Sequence, residues 1–498
     1  MKPPHNPHAV AGSSRRRFLQ WGAAAASLPL MESSVAQNVN QSVNQIVSQG
    51  GRQAPTQLLA DPFYTELERR TFLYFWETTD AATGLAPDRW PSSKLISIAA
   101  VGFALTAYPI GASRGWVTRE KAAQRVRTTL RWFLDARQGA GPRGNAGYKG
   151  FFYHYLDPQT GLRHGDSELS TVDTSILIMG ALYCRECFDG SNALETEVRR
   201  LAEQLYANVD WEWARNGGKG IPYSWHPMTG HDPINWSGWD EGMFIYLLAL
   251  GSPTHPIPGS CWQEWTHTYE KKFDGWRGTF GPPHLQGAPL FCYQYPQVWV
   301  DLRGMRDAYM RRRGIDYFEN TRRAVLAQQT YAIANPQKWK AYGADMWGFT
   351  ACDGPANVKR EFGGRERTFY GYQGRALAHF DDGTLSPPAV AAALPFAPDV
   401  VVPTLLAMRE RFGDAIFAQY GFVDSFNPSF DFDVKLDFGR RIPGRGWFDT
   451  DYIAIDQGPI LAMFANYRDE GVWSKMRRAE WLRKGLVAAG FRGGWLEN

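Results

Sequence analysis

A succession of long helical patterns, with little strand pattern between them, most constrains how this chain of 498 residues can fold. From Pro62 onward, apolar residues recur at three- and four-residue intervals, and these stretches are separated by loops rich in Gly, Pro and Trp. The predicted helices lie near residues 62–79, 93–108, 118–137, 167–188, 192–209, 239–250, 260–274, 301–313, 315–333, 386–394, 400–412, 454–467 and 472–489. Alternating strand patterns are confined to 150–156 and 430–438, which predict short hairpins.

The predicted helices are of two kinds. Segments 244–250 and 453–464 are apolar nearly all round, whereas 118–137 and 192–209 each carry one polar face. Buried helices that alternate with half-exposed helices indicate an inner ring wrapped by an outer ring. A (β/α)8 barrel is excluded because its eight Val- and Ile-rich strands have no counterpart in the sequence. The sequence therefore predicts an all-α (α/α)6 toroid, or barrel, with long loops and a few short β-hairpins on one rim.

The first 60 residues differ in composition from the rest of the chain. The run from Ser14 to Leu19 contains three arginines and is followed by a short apolar stretch and by Ser34-Val35-Ala36, which predicts a twin-arginine signal peptide over 1–36. Residues 37–60 are rich in Gln, Asn and Ser and predict a disordered linker. The apolar stretch is too short to span a bilayer, so no stable membrane anchor is expected. The sequence thus predicts one folded domain over 61–498, periplasmic or secreted via the twin-arginine pathway.

Charge and cysteine content exclude several classes of partner and cofactor. The net charge is +4, and most of the excess lies within 1–36, so no basic patch remains to bind a nucleic acid. The five cysteines are scattered, and the pair Cys184 and Cys187 lies inside a predicted helix without a second pair at ligand spacing. We therefore expect buried thiols, no metal, no cofactor, and a monomer that acts on an uncharged substrate.

Three acidic clusters lie at the starts of helices that are predicted to be inner. The first contains Asp166, Glu168 and Asp173, the second Asp240 and Glu241, and the third Asp449, Asp451 and Asp456. Helix N-termini carry partial positive charge and free N–H groups, which favour ionised carboxylates and bound hydroxyl groups. Any one of these acids could instead be a helix cap. Together, interleaved with Trp, they predict a single site lined by helix N-termini.

Hydrolysis of a glycosidic bond requires two carboxyl groups of this kind. One must be kept neutral by burial to protonate the leaving oxygen, and the other must be ionised to activate a water. Inverting enzymes hold the two about 6.5–9.5 Å apart, a gap that opposite sides of a helical funnel can supply. Glu241 is the predicted acid because Phe244, Ile245 and Leu248 share its helix face. Either Glu168 or Asp173 is the predicted base, and Asp456 is the alternative.

Aromatic residues make up 14% of the chain, and flat rings stack on the faces of sugar rings. Other polar residues near the acidic clusters, or in loops with Trp, could hold sugar hydroxyls. The predicted substrate-binding residues are Tyr148, His154, Asp166, Trp239, Gln294, Asp301, Arg303, Trp347, Asp353, Trp447 and Asp451. Asp301 and Arg303 could equally form an ordinary ion pair.

Several ordered motifs carry a resemblance to a known family. Residues 150–154 leading to 168–174, and the segments 239–243, 347–351 and 455–460, resemble glycoside hydrolase family 144 over about 62–490 of the chain. These are β-1,2-glucanases, and their relatives include the glucoamylase-like domain of cyclic β-1,2-glucan synthases. The resemblance implies an (α/α)6 toroid, an inverting mechanism without metal, and linear or cyclic β-1,2-glucan as the substrate. Tyr293 to Gln297 departs from the family pattern, which leaves subsite detail and chain-length preference open.

The function predicted from the sequence is inverting, endo-acting hydrolysis of β-1,2-glucan. A transglycosylase or an exo-acting, sophorose-releasing enzyme on the same scaffold remains an alternative. A polysaccharide lyase is less favoured, because it would need a Tyr or His base and cations against a uronate, whereas this chain concentrates acids. A glycan-binding protein without activity is a third class, although three acidic clusters are more than binding requires.

Overall fold

Most of the folded chain is helical. The computed structural model describes residues 58–270, 276–287 and 289–497. The helices α1 to α16 are, in order, Pro62–Thr78, Ile98–Ser113, Arg119–Asp135, Thr171–Cys187, Ala193–Ala207, Trp211–Ala214, Met243–Gly251, Ser260–Thr266, Phe291–Trp299, Ala308–Arg313, Tyr317–Ala334, Pro387–Ala391, Pro398–Phe412, Ala454–Asp469, Trp473–Met476 and Glu480–Ala488. The predicted signal peptide lies outside the described residues, as does the predicted linker up to residue 57. Leu59, which falls in the predicted linker, is buried.

The strands are short and form small sheets among the helices. Strands β1 to β22 are Arg89–Trp90, Ile96–Ser97, Gly147–Tyr148, Phe151–Tyr153, Tyr155–Leu156, Leu169–Ser170, Ser224–His226, Gly230–His231, Trp276–Arg277, His284–Leu285, Met305–Arg306, Ala351–Cys352, Val358–Phe362, Arg365–Phe369, Gln373–Gly374, Phe417–Ala418, Gly421–Phe422, Phe426–Asn427, Arg440–Ile442, Gly446–Phe448, Tyr452–Ile453 and Arg492–Gly493. The largest described sheet has five strands in the order β3-β4-β6-β7-β8, and its pairs are antiparallel.

Most predicted helices are confirmed, and the corrections concern short elements. The predicted helix 301–313 is reduced to α10, and 386–394 to α12. Helix α9 was not predicted, and it continues through Pro296. The predicted hairpin at 430–438 is wrong, and β19 and β20 form a hairpin just after it. Phe430 packs there with Trp339, Phe369 and Trp447 in a small separate core, so burial of aromatic rings outweighs the alternating pattern.

Helices α2, α4, α7, α9, α12 and α14 are buried over nearly their whole length, whereas α3 and α5 each expose one face. Helices α2 and α4 approach so closely that a Cβ on Gly180 would lie 2.1 Å from the carbonyl oxygen of Gly102. In the same way, a Cβ on Gly458 of α14 would overlap the ring of Phe103 on α2. Small residues therefore set the spacing of the buried helices, as expected for an inner layer.

Short strands tie the N-terminal ends of three buried helices together. Strand β21 leads directly into α14 and pairs with β1, strand β2 leads into α2 and pairs with β5, and strand β6 leads into α4 and pairs with β4 and β7. The backbone N–H of Ala454 donates to the carbonyl of Asp88 at 2.9 Å, and that of Ile98 donates to the carbonyl of His154. These pairings place the starts of α2, α4 and α14 at one end of the molecule.

Two further sequence predictions concern the cysteines and the membrane. All five cysteines are buried and none forms a disulfide, which confirms the expectation of buried thiols. Among the described residues, none of the helices combines the length and hydropathy needed to cross a bilayer.

Candidate active site

The site lies at the end of the molecule where the strands join the helix N-termini. The segment that leads into α7 reaches the same end, because the indole nitrogen of Trp236 donates to Oγ1 of Thr171, the first residue of α4, at 2.9 Å. Glu241 follows shortly after Trp236, one residue before the N-cap of α7, and its side chain is buried. The carboxylate of the neighbouring Asp240 accepts a hydrogen bond from the backbone of Gly242 at 2.7 Å and so holds this turn.

The first acidic group comprises the carboxylates of Glu168 and Asp173 together with the imidazole of His154. The Nδ1 atom of His154 lies 2.9 Å from Glu168 Oε1 and 3.6 Å from Asp173 Oδ2. The hydroxyl of Ser170, the N-cap of α4, donates to Asp173 and in turn accepts from the backbone N–H of Asp173 at 3.1 Å. The ring of His154 stacks on Tyr155 at a centroid distance of 3.9 Å. One imidazole therefore positions two carboxylates at the start of α4.

The second group of acids comprises Asp353, Asp424 and Asp449. One carboxylate oxygen of each residue lies within 4.8 Å of the other two. Burial raises the pKa of all three carboxyl groups, most strongly for Asp424 and Asp449. The charge of Asp353 raises the pKa of Asp424 and of Asp449 further, whereas Arg89 lowers the pKa of Asp353 itself. The charge of Asp456, in the first turn of α14, also raises the pKa of Asp424, which places Asp456 beside this group.

Arg89 and Tyr155 connect the two groups. Arg89 Nη1 donates to Asp353 Oδ2 at 2.6 Å and lies 3.6 Å from Asp451 Oδ2. Burial raises the pKa of Tyr155, the charges of Asp88 and Asp173 raise it further, and Arg89 opposes them. Tyr155 thus lies within electrostatic reach of the first group and of Arg89, which in turn pairs with Asp353 of the second group. Through these two residues the groups border one polar region.

Several predicted substrate-binding residues are instead part of the core. Trp239 stacks on Tyr317, and the indole nitrogen of Trp347 donates to Thr404 Oγ1 at 3.0 Å. The indole of Trp447 donates to the carbonyl of Phe438, and the amide of Gln294 to that of Ala389, at 2.8 and 2.7 Å. All four predicted residues are at most 1% exposed, so none presents a face to a sugar in this structure.

Asp301 and Arg303 are also placed away from the acids. They form a bidentate pair of 2.7 and 2.8 Å, which Arg303 extends to Glu470 at 2.7 Å. Glu470 follows the C-terminal end of α14, the end opposite to Asp456. The ordinary ion pair is therefore the interpretation that fits, and a direct role of these two residues in substrate binding does not.

The remaining predicted residues divide between the surface and the polar region. Tyr148 is half-buried in a rim cluster with Trp213 and Trp225, and Asp166 is exposed. Asp353 and Asp451 are buried beside Arg89. They belong with the acids that the sequence assigned to catalysis.

Sequence reasoning missed Arg89, Tyr155 and Asp424 as site residues. Arg89 and Tyr155 lie on two-residue strands without a motif of their own. The only signal for Asp424 in the sequence is a lone acid between the apolar Val423 and the polar Ser425. Asp449 belongs to the third predicted acidic cluster, but no local pattern pairs it with Asp424.

Comparison with known proteins gives a consistent result. Residues 233–480 match the family model named Glycoamylase. The exo β-1,2-glucooligosaccharide sophorohydrolase (non-reducing end) of Parabacteroides distasonis is 27% identical over 453 residues, which cover 84% of this chain and 56% of that protein. The chain therefore spans little more than half the length of this curated relative.

Solved structures share the fold over nearly the whole chain. A protein of Bacteroides uniformis, described as a candidate glucoamylase, has a TM-score of 0.75 and 27% identity, and the match covers 90% of this chain and 100% of that one. The endo-β-1,2-glucanase of Chitinophaga pinensis, solved with sophorotriose and glucose, has a TM-score of 0.73 and 26% identity, with 88% and 99% covered.

Proposed function

We propose that the chain is a member of the glucoamylase-like family that includes the β-1,2-glucanases of glycoside hydrolase family 144, and that it hydrolyses β-1,2-glucan by an inverting mechanism. The observation that carries the proposal is that carboxyl groups lie at separate helix starts at the same end of the molecule. Glu241 precedes α7, Glu168 and Asp173 flank the start of α4, and Asp456 lies in the first turn of α14. The (α/α)6 toroid is part of the same proposal.

In the proposed reaction Glu241 is the general acid. Its side chain is 2% exposed, and burial of this kind favours the neutral carboxyl group that the first step needs. Glu241 gives its proton to the glycosidic oxygen while the bond from this oxygen to the anomeric carbon breaks. A water attacks the anomeric carbon from the opposite face and loses a proton to the general base, so the configuration at that carbon is inverted.

The general base is Glu168 or Asp173, with Asp456 as the alternative. The Glu168 side chain is 13% exposed and the Asp173 side chain 3%, so water has more direct access to Glu168. His154 Nδ1 adjoins both carboxylates, at 2.9 Å from Glu168 and 3.6 Å from Asp173. This access supports Glu168 as the residue that activates the attacking water.

Endo-acting hydrolysis is the favoured mode, with exo-acting release of sophorose as the second candidate. The Chitinophaga pinensis relative is an endo-enzyme, and the Parabacteroides distasonis relative is an exo-sophorohydrolase. Their sequence identities to this chain, 26% and 27%, are too similar to separate the two modes. Transglycosylation on the same scaffold would give products longer than the substrate.

The test is incubation of the purified protein with a panel of β-linked glucans, followed over time by chromatography and anomer-resolved NMR. We expect activity on β-1,2-glucan, a spread of oligosaccharides at early times, and products with the α-configuration at the new reducing end. Sophorose alone at all times would establish the exo mode. Products absorbing in the ultraviolet would indicate a lyase, and calorimetric binding without turnover would contradict the enzymatic proposal altogether.

We also propose that the protein is exported through the twin-arginine pathway and acts as a monomer in the periplasm or outside the cell. The support is the composition of residues 1–36. A reporter that becomes active only after export, fused behind these residues, tests the route. Replacement of Arg15, Arg16 and Arg17 by Lys should stop export of the reporter.

A further inference from the structure

In the second acidic group, each carboxylate has one oxygen that accepts a hydrogen bond and one that does not. Each carboxylate uses one oxygen: Asp353 Oδ2 accepts from Arg89, Asp424 Oδ2 accepts from the backbone N–H of Asp353 at 2.7 Å, and Asp449 Oδ1 accepts from Thr450 N–H at 2.7 Å. The second oxygen of each, Oδ1 of Asp353, Oδ1 of Asp424 and Oδ2 of Asp449, has no hydrogen-bond partner among the described residues. The side chains are 0%, 0% and 1% exposed. Buried polar atoms in folded proteins almost always have a partner, so these three oxygens require one.

The charge balance leads to the same requirement. Two more carboxylates adjoin the three acids of the group: Asp451 lies 3.6 Å from Arg89, and the charge of Asp456 acts on Asp424. Among the described residues, Arg89 is the cation that pairs with this group. The guanidinium of Arg375, which approaches the backbone carbonyl of Asp353 at 3.4 Å, pairs with Asp382 through two bonds of 2.8 Å. Uncompensated buried charge is costly, so protons or a further cation must supply the balance.

We propose that Asp353, Asp424 and Asp449 bind one divalent cation of the calcium class. The three unpaired oxygens belong to Asp353, Asp424 and Asp449, and one carboxylate oxygen of each of these residues lies within 4.8 Å of the others, so a single ion can contact all three residues. A ligand set made only of carboxylate oxygens suits a hard cation rather than zinc, which prefers nitrogen and sulfur. Calcium tolerates irregular geometry at about 2.3–2.6 Å, whereas magnesium demands near-ideal octahedral geometry at about 2.0–2.1 Å.

The ion would link three segments that are far apart in the sequence. Asp353 follows β12, Asp424 lies between β17 and β18, and Asp449 lies between β20 and β21. All three segments border the polar region at the start of α14. Binding by the folded chain, and not by the unfolded one, would stabilise the protein by mass action. The role assigned to the ion is structural, and it does not depend on the proposed hydrolytic activity.

The first acidic group offers a similar spacing but does not require an ion. One ligand atom each of His154, Glu168 and Asp173 also lies within 4.8 Å of the others. There the imidazole of His154 stands against both carboxylates and supplies the positive charge when protonated. The first acidic group is therefore the alternative ion site that the test must distinguish from the second.

The test begins with the purified full chain, stripped of metal with EGTA and passed over a chelating resin. Its Tm is measured in increasing CaCl2, with MgCl2 as the comparison, and bound calcium is counted by equilibrium dialysis with radioactive calcium. We expect one calcium per chain and a Tm that rises with calcium more than with magnesium. If no calcium binds and Tm does not rise at millimolar CaCl2, the proposal is wrong. Protons shared among the carboxyl groups would then neutralise their negative charge.

Three variants locate the ion. Asp424→Asn keeps an oxygen to accept from the Asp353 N–H but removes a charge, so calcium binding should weaken at least tenfold while the metal-free protein still folds. Asp414→Asn, at a side chain that is 94% exposed, is the matched control and should keep the full calcium response. Glu168→Gln should keep it too. If Glu168→Gln loses the response and Asp424→Asn retains it, the ion lies at the first group and the assignment is wrong.

Discussion

Arg89 donates from Nη1 to Oδ2 of Asp353 at 2.6 Å and joins residues that are 264 positions apart. Both side chains are buried, and the guanidinium also lies over the ring of Phe438, 4.9 Å from its centroid. Arg89 belongs to β1, which pairs with the strand leading into α14, and Asp353 follows β12. This contact therefore joins the segment after β12 to the strands at the start of α14.

Replacement of Arg89 by Met should destabilise the protein strongly, because it leaves Asp353 buried without its partner. Loss of one member of a buried ion pair costs about 3–5 kcal/mol in the free energy of unfolding. The measurement is urea unfolding of the wild type, Arg89→Met, Asp353→Asn and the double variant. In the Arg89→Met background, we expect Asp353→Asn to lower the free energy of unfolding much less than it does in the wild type. Additive effects of the two substitutions would show that the pair is not coupled.

Replacement of Glu241 by Gln should abolish most of the activity and leave the fold intact. Gln has nearly the same shape as Glu but cannot donate the proton that the leaving oxygen needs. General acid catalysis contributes about 10²–10⁴-fold, so kcat on β-1,2-glucan should fall by at least that range. Circular dichroism and Tm serve as the check on folding. Wild-type activity in Glu241→Gln would remove Glu241 as the acid.

The stability of the metal-free protein should depend on pH through the second acidic group. Because the pKa values of Asp424 and Asp449 are raised in the folded state, their contribution is most favourable below the unfolded carboxyl pKa of about 4. It is lost as the pH rises through the folded pKa values. Asp424→Asn lacks one of these groups, so its Tm relative to wild type should increase from pH 4 to pH 9 in EGTA. If the difference in Tm between Asp424→Asn and wild type stays constant with pH, the raised pKa of Asp424 is not the cause of the pH dependence.

Replacement of Arg303 by Gln should change stability without changing substrate affinity. Its partners are Asp301 and Glu470 at the far end of α14, away from Glu241 and Glu168. We expect a lower Tm, and the same kcat and KM on β-1,2-glucan as in the wild type. A raised KM with an unchanged Tm would instead restore the substrate-binding role that the sequence suggested for Arg303.

The sequence predicted local features well where their cause is local. Helices such as α3 and α4 repeat apolar residues at the helical period, and the signal is contained within each stretch. The burial of Asp173 among the apolar residues of α4 follows from the same period. The hairpin at 430–438 failed because Phe430 packs against Trp339 and Phe369, both distant in sequence.

Aromatic residues show the limit of composition as a guide. Trp239, Trp347 and Trp447 are flanked by acids or glycines in motifs that suggest a sugar-binding loop, yet each is at most 1% exposed. A Trp side chain buries a large apolar area and needs one acceptor for its indole nitrogen. The indole nitrogens of Trp347 and Trp447 donate to acceptors inside the protein, so these rings pack in the core and are not exposed to bind a sugar.

By itself the sequence determined the helical class, the alternation of buried and half-exposed helices, and the presence of acids where buried helices begin. The tertiary structure decided which acids meet: Asp424 and Asp449 with Asp353, and His154 with Glu168 and Asp173. The physical reason is range. Helical period and capping act over a few residues, whereas the grouping of these carboxyls depends on pairings between strands hundreds of residues apart, such as β1 with β21.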